Sequence, residues 1–133
     1  MAVLVHPAKP DMVAQRESVT LPLPQLVTGL VQILGKKITA YIASAKDTRS
    51  VDRWMANGES FTPYKGVEER LRAAFHVAKM LSDYESHRVV QSWFTGLNPE
   101  LDDRSPSRVL REEDVQAGGP EVLRAARSFL AGG

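Results

Sequence analysis

The chain has 133 residues, 43% of them hydrophobic and 25% charged, with a formal net charge of +1. This length fits one domain or two very small helical ones, and so even a charge balance supplies no overall field toward nucleic acid or an anionic membrane. The absence of cysteine excludes disulfides and thiolate metal sites, and His6, His76 and His87 lack ligand spacing, so neither metal nor cofactor is expected.

Residues 1–5 are apolar but too few for a signal peptide, and no stretch approaches the roughly 20 apolar residues of a membrane span. A cytoplasmic location without membrane contact is expected. Residues 1–20 carry Pro7 and Pro10, lack periodicity and read as a flexible tail. Leu26, Leu30, Ile33 and Leu34 then recur at helical spacing, with Pro24 in the first turn and Gly35 as the stop; Gly29 lowers the propensity slightly. Residues 37–44 predict a second helix with Ile38, Tyr41 and Ile42 on one face. After a break at Ala45-Lys46, Asp47 or Thr48 caps a third helix over 49–56, with Val51, Trp54 and Met55 inward. Asn57-Gly58 ends it, and residues 61–66 form a connector.

The clearest pattern spans 67–84, where Val67, Leu71, Ala74, Phe75, Ala78 and Leu81 form a stripe and Glu68–Arg72 is a favourable four-apart pair. Ser86 caps a helix over 87–95 that buries Val89, Val90, Trp93 and Phe94 before Gly96. Ser105-Pro106 opens a short helix through Leu110, and Pro120 opens a last one with Val122, Leu123, Ala126, Phe129 and Leu130 inward. No strand-length alternation occurs, so the fold class is all-α.

Two constellations point toward function. The helices over 37–44 and 49–56, joined by a sharp turn, have the pattern of a helix-turn-helix. Thr48, Arg49, Ser50 and Arg53 fall on the side opposite Val51 and Trp54, and Lys46 sits in the turn. Arginine pairs bidentately with guanine, while the hydroxyls and Lys36 and Lys37 suit phosphates. Ala45 stands where such turns carry glycine, and Asp52 adds a negative charge beside the cations. The alternative is a three-helix structural module with an ordinary solvated face. A single copy would bind DNA weakly, so a homodimer reading two half-sites is expected.

The second constellation runs from Trp93 through Asn98-Pro99, Leu101 and Arg104-Ser105-Pro106 to Leu110, followed by the helix containing Val122 and Leu130. Each piece has a structural explanation; the joint spacing is what informs. This arrangement resembles the toxin-binding domain of the MbcA/ParS/Xre antitoxin family, and with the preceding helix-turn-helix the resemblance covers about residues 25–133. The resemblance implies an antitoxin that neutralises a RES-type, NAD-consuming toxin and represses its own operon by binding operator DNA. It implies toxin-facing roles for Arg104, Arg124, Arg127, Leu130, Gly132 and Gly133, and a division into a tail (1–20), a DNA-binding region (21–62) and a dimerisation and toxin-binding domain (63–133); the alternative for the arginines is that Arg104 braces the adjacent turn and Arg124 and Arg127 are solvated. Trp93 and Phe94 read as core. The alternative is a helix-turn-helix regulator without a toxin partner. No catalytic constellation is present: Asp102-Asp103 and Glu112-Glu113-Asp114 read as solvated carboxylates, and enzymatic activity is not expected.

Overall fold

Apolar residues at three- and four-residue steps make one helix the hub around which the others pack. The computed structural model describes residues 10–56 and 66–132, which form α1 (Pro10–Thr20), α2 (Leu23–Leu34), α3 (Lys36–Ile42), α4 (Thr48–Ala56), α5 (Val67–Ser82), α6 (His87–Thr95), α7 (Pro106–Glu112) and α8 (Val115–Leu130). A 3-10 turn, Pro99–Leu101, joins α6 to α7. No strand occurs among the described residues, so the all-α reading holds. The expected stop at Asn57-Gly58, most of the connector, the boundary between 62 and 63, and Gly133 lie outside them.

The hub is α5. It buries the predicted Leu71, Ala74, Phe75, Ala78 and Leu81, and also Val77 and Met80, which lie off the predicted stripe. The extra burial follows from its neighbours: α1, α2, α7 and α8 all pack on it, and a helix covered on several sides buries more than one face. One cluster of buried side chains draws on every helix, from Ala14 to Ala126. Gly29 has its reason here. A Cβ at that position would stand 2.9 Å from the buried Phe75 ring, so the residue that weakens α2 locally lets α2 sit close on α5.

The expected tail is corrected over residues 10–20. These form α1, with Ala14 fully buried and Ser18 nearly so. The helix has no apolar stripe to announce it; long-range polar contacts hold it instead. Arg72 donates to the carbonyls of Ser18 (3.1 Å) and Leu21 (2.9 Å) at its C-terminal end. At the other end the two Asp11 oxygens meet His76 Nε2 (2.7 Å) and Arg127 (2.8 Å).

Three further expectations shift. The last helix begins at Val115, five residues before Pro120, which lies within it. Proline removes one backbone donor, but Gln116, whose carbonyl loses that partner, is exposed and open to water. Val89 is 38% exposed rather than inward, because Val90 and Phe94 take the core-facing side of α6. Tyr41 is likewise exposed at 38%, with the Arg111 guanidinium 4.5 Å over its ring.

Burial raises the Asp11 pKa, but the hydrogen bonds from His76 and Arg127, with their charges, outweigh it and leave the carboxyl below its ordinary 3.8. A depressed folded-state value means that the stabilisation is complete above the unfolded value and is lost as pH falls through the folded one. Asp11→Asn is therefore expected to lower stability by about 1 kcal/mol near neutrality. In paired thermal melts the gap between variant and parent should close progressively below pH 3.8; a gap that persists unchanged in acid contradicts the assignment.

Candidate functional site

Local hydrogen bonding decides how α4 is presented. The chain leaves α3 through Ser44, whose positive φ of 57° takes the left-handed turn position, so the residue standing in for glycine is Ser44 and not Ala45. Ser44 N donates to Tyr41 O (3.0 Å) and Ala45 N to Ala40 O (2.9 Å), closing the reversal. Asp47 then starts α4, its Oδ1 accepting from Arg49 N at 3.0 Å. Val51 is fully buried and Trp54 nearly so, as the periodicity required. Lys46, Arg49, Asp52 and Arg53 are exposed, with Thr48 and Ser50 half-buried beside them.

These cations are largely engaged with their own neighbours. The Arg49 guanidinium lies 3.0 Å from Asp47, and its side-chain and backbone hydrogen bonds hold that carboxyl below its ordinary value. Lys36 Nζ lies 2.7 Å from Asp52, and Arg53 donates to Ser50 Oγ at 3.0 Å. All are surface pairs, open to exchange with another anion. Lys37 is set apart from them, lining a hollow with Ile38, Tyr41, Thr95, Ser105 and Ser107. Thr95 and Ser107 spend their hydroxyl protons on the carbonyls of Gln91 and Phe94, and Lys37 is the charged residue among those that line the hollow.

The stretch from Trp93 to Leu110 folds as one braced unit. Trp93 packs edge-on to Phe94 (centroids 5.3 Å apart) and against Phe129 of α8 (6.2 Å). Asn98 Oδ1 accepts from Glu100 N at 2.9 Å and so starts the 3-10 turn, which buries Leu101 completely. The chain then reverses through Asp102 and Asp103, both at positive φ, while Asn98 N donates to Arg104 O at 3.2 Å. Ser105 caps α7 by accepting from Arg108 N, Pro106 is buried behind it, and Leu110 is 1% exposed.

Arg104 lies at the centre of this unit. Its Nε donates to Leu101 O (2.9 Å), and its terminal nitrogens reach Glu113 (3.3 Å) and Glu121 (3.4 Å). Its donors therefore hold the loop to α7 and α8. Arg127 is paired with Asp11, Arg124 is exposed on α8, Leu130 is half-buried, and Gly132 takes a φ of +91° beyond the helix end. The sequence reading passed over Arg70 and Arg111. Arg70 Nη1 donates to the carbonyls of Leu110, Arg111 (2.8 Å) and Glu113 (2.9 Å), and Arg111 Nη1 to that of Tyr41 (3.0 Å). No local signal marks either residue, because their acceptors lie 40 to 70 positions away.

Among the described residues no helix is long and apolar enough to cross a membrane, and no group of three or more histidines and carboxylates is placed to hold a metal ion. Comparison with protein-family models, curated proteins and solved structures finds no match to this chain.

Replacing Arg104 should release the loop from both helices it holds. Arg104→Lys keeps the charge but loses the fork that serves one carbonyl and two carboxylates, so a loss of about 2 kcal/mol in urea unfolding is expected even for this conservative change. Stability equal to the parent would show that the brace contributes nothing.

Proposed function

We propose that the protein is the antitoxin of a toxin–antitoxin pair, which binds operator DNA through α4 and a RES-type, NAD-consuming toxin through its C-terminal region. The observation that carries this reading is the meeting of the resemblance-bearing residues in one place. Trp93, Asn98, Leu101, Arg104, Ser105 and Leu110 build a rigid platform on which α8 is seated. Such a platform sets the direction of Arg124 and of the chain after Leu130, the segment suited to entering another protein's cleft. Arginine there suits a pocket shaped for the phosphates of NAD. In this reading Arg104 acts through the shape it maintains, and Arg127 is shared between Asp11 and the toxin. Support for the DNA-facing role comes from α4, which buries Val51 and Trp54 while carrying Arg49 and Arg53 at the surface, with Lys46 exposed in the turn before it. That same face supports the second reading, a repressor without a toxin, which requires no C-terminal partner.

The two roles separate by variant. Arg49→Ala with Arg53→Ala is expected to weaken a promoter gel shift by at least about tenfold while leaving growth rescue intact. Arg124→Glu is expected to impair co-purification with the product of the adjacent gene, and rescue from its toxicity, without changing the gel shift. A neighbouring product that neither binds nor harms the cell would leave only the repressor reading. Asp52→Asn frees Lys36 and should steepen the salt dependence of DNA binding by about one counterion per protomer; an unchanged slope would remove Lys36 from the interface.

A further inference from the structure

The hollow that Lys37 lines opens where α3 meets the end of α6 and the start of α7, and it has a volume of about 320 Å³. That is the small end of the range for small-molecule sites. Its walls are mainly apolar, formed by the half-buried Ile38 and by Tyr41, over whose ring the Arg111 guanidinium lies at 4.5 Å. An apolar recess with a few convergent polar groups is the usual form of a ligand site, and what those groups offer selects the ligand.

Here they offer donors. Lys37 is exposed and forms no ion pair or hydrogen bond among the described residues, and neither does the Tyr41 hydroxyl. Ser105 Oγ accepts from Arg108 N at 3.1 Å and keeps its own proton, for which the Ser107 hydroxyl at 3.4 Å is a distant acceptor. Carboxylates are turned elsewhere. Helices α3 and α6 contain none, and α7 has only Glu112, at its far end and paired with Arg108 at 3.1 Å. On the adjoining segments Asp52, Asp102 and Asp103 do not line the hollow, and Asp52 is paired with Lys36. The Arg111 guanidinium adds a second positive charge beside Tyr41. An ammonium and two hydroxyl protons against apolar walls fit an anion that carries an apolar body, whereas an amine would meet Lys37 with no counter-charge.

We propose that this hollow is a binding site for a small organic carboxylate, with its charged end on Lys37 and its apolar body along Ile38 and Tyr41. The site is built by α3, α6 and α7 and stands whether or not the protein binds DNA or a toxin. Phenylacetate is the probe, titrated into the full chain without DNA or any second protein and followed by amide shifts in proton–nitrogen correlation spectra. Saturable shifts at Lys37, Ile38, Thr95 and Ser105 are expected. The dissociation constant should be on the order of 1 mM, as befits a probe of about ten non-hydrogen atoms. Phenylacetamide keeps the body without the charge, and inorganic phosphate keeps the charge without the body; each should bind at least about tenfold more weakly. Lys37→Gln, at an exposed position, should weaken phenylacetate binding at least about tenfold. Thr95→Phe, which places a ring in the hollow, should abolish it, with the amide dispersion of both variants showing that they are folded. Phosphate bound as tightly as phenylacetate would overturn the proposal and make Lys37 a contact for any phosphate, that of a DNA backbone included. Phenylacetamide bound as tightly would overturn it too, leaving an apolar recess without a charge requirement. So would shifts that fail to saturate or centre elsewhere, or a folded variant that binds like the parent. The comparison of the three probes on the parent needs no variant, and none of these outcomes depends on the gel-shift or neutralisation results.

Discussion

The last carbonyls of a helix have no partner within it, and in a fold of short helices that deficit recurs every dozen residues or so. This protein meets it with side chains sent from other helices. Arg72 of α5 covers the end of α1, and Arg70, also of α5, covers the end of α7. Arg111 of α7 reaches the Tyr41 carbonyl at the end of α3, and Gln91 of α6 donates to the Ile33 carbonyl at the end of α2, at 2.8 Å. Each guanidinium also places positive charge at the negative pole of the helix dipole. The arrangement does two jobs with one group: it adds donors at the acceptor-rich helix ends, and it fixes which helix end sits beside which.

These crossings explain why a sequence that divides into a front and a back packs as one cluster. The contact between α3 and α7 is fastened by Arg111, which donates to the Tyr41 carbonyl and stacks over its ring. Gln91 fastens α6 to α2 in the same manner. The edge carrying α4 is thus attached through α3 and α2 to the region carrying Arg104, with α5 between them. A change at one end would be transmitted through packed helices and not through a loose linker across these contacts.

Much of this was legible from sequence because helical periodicity is local. The stripe on α5, the Ser86 and Ser105 caps and the burial of Val51 and Trp54 all follow from spacings of three or four residues. What was not legible depends on distant partners. Helix α1 has no stripe of its own, and its position comes from Arg72, His76 and Arg127, between 51 and 116 positions away. Arg104 shows the same limit from the other side. Its residue type allowed either a brace for the adjacent turn or contact with an external anion, and only the fold shows that Glu113 and Glu121 are its partners. The turn before α4 adds a smaller case: a left-handed residue was needed, and Ser44 rather than its neighbour Ala45 adopts that conformation.

The electrostatics of α4 link the local and the long-range features. With a net charge of +1, the protein has no global attraction for nucleic acid, and Asp47 and Asp52 partly neutralise Arg49 of α4 and Lys36 of α3. A surface so balanced holds a polyanion weakly as a single copy, since a phosphate at Arg49 or Lys36 must displace an internal carboxylate from an exposed ion pair. Affinity would then have to come from number. Two α4 helices held at a fixed separation bind as one ligand, with the second contact made at a high effective concentration.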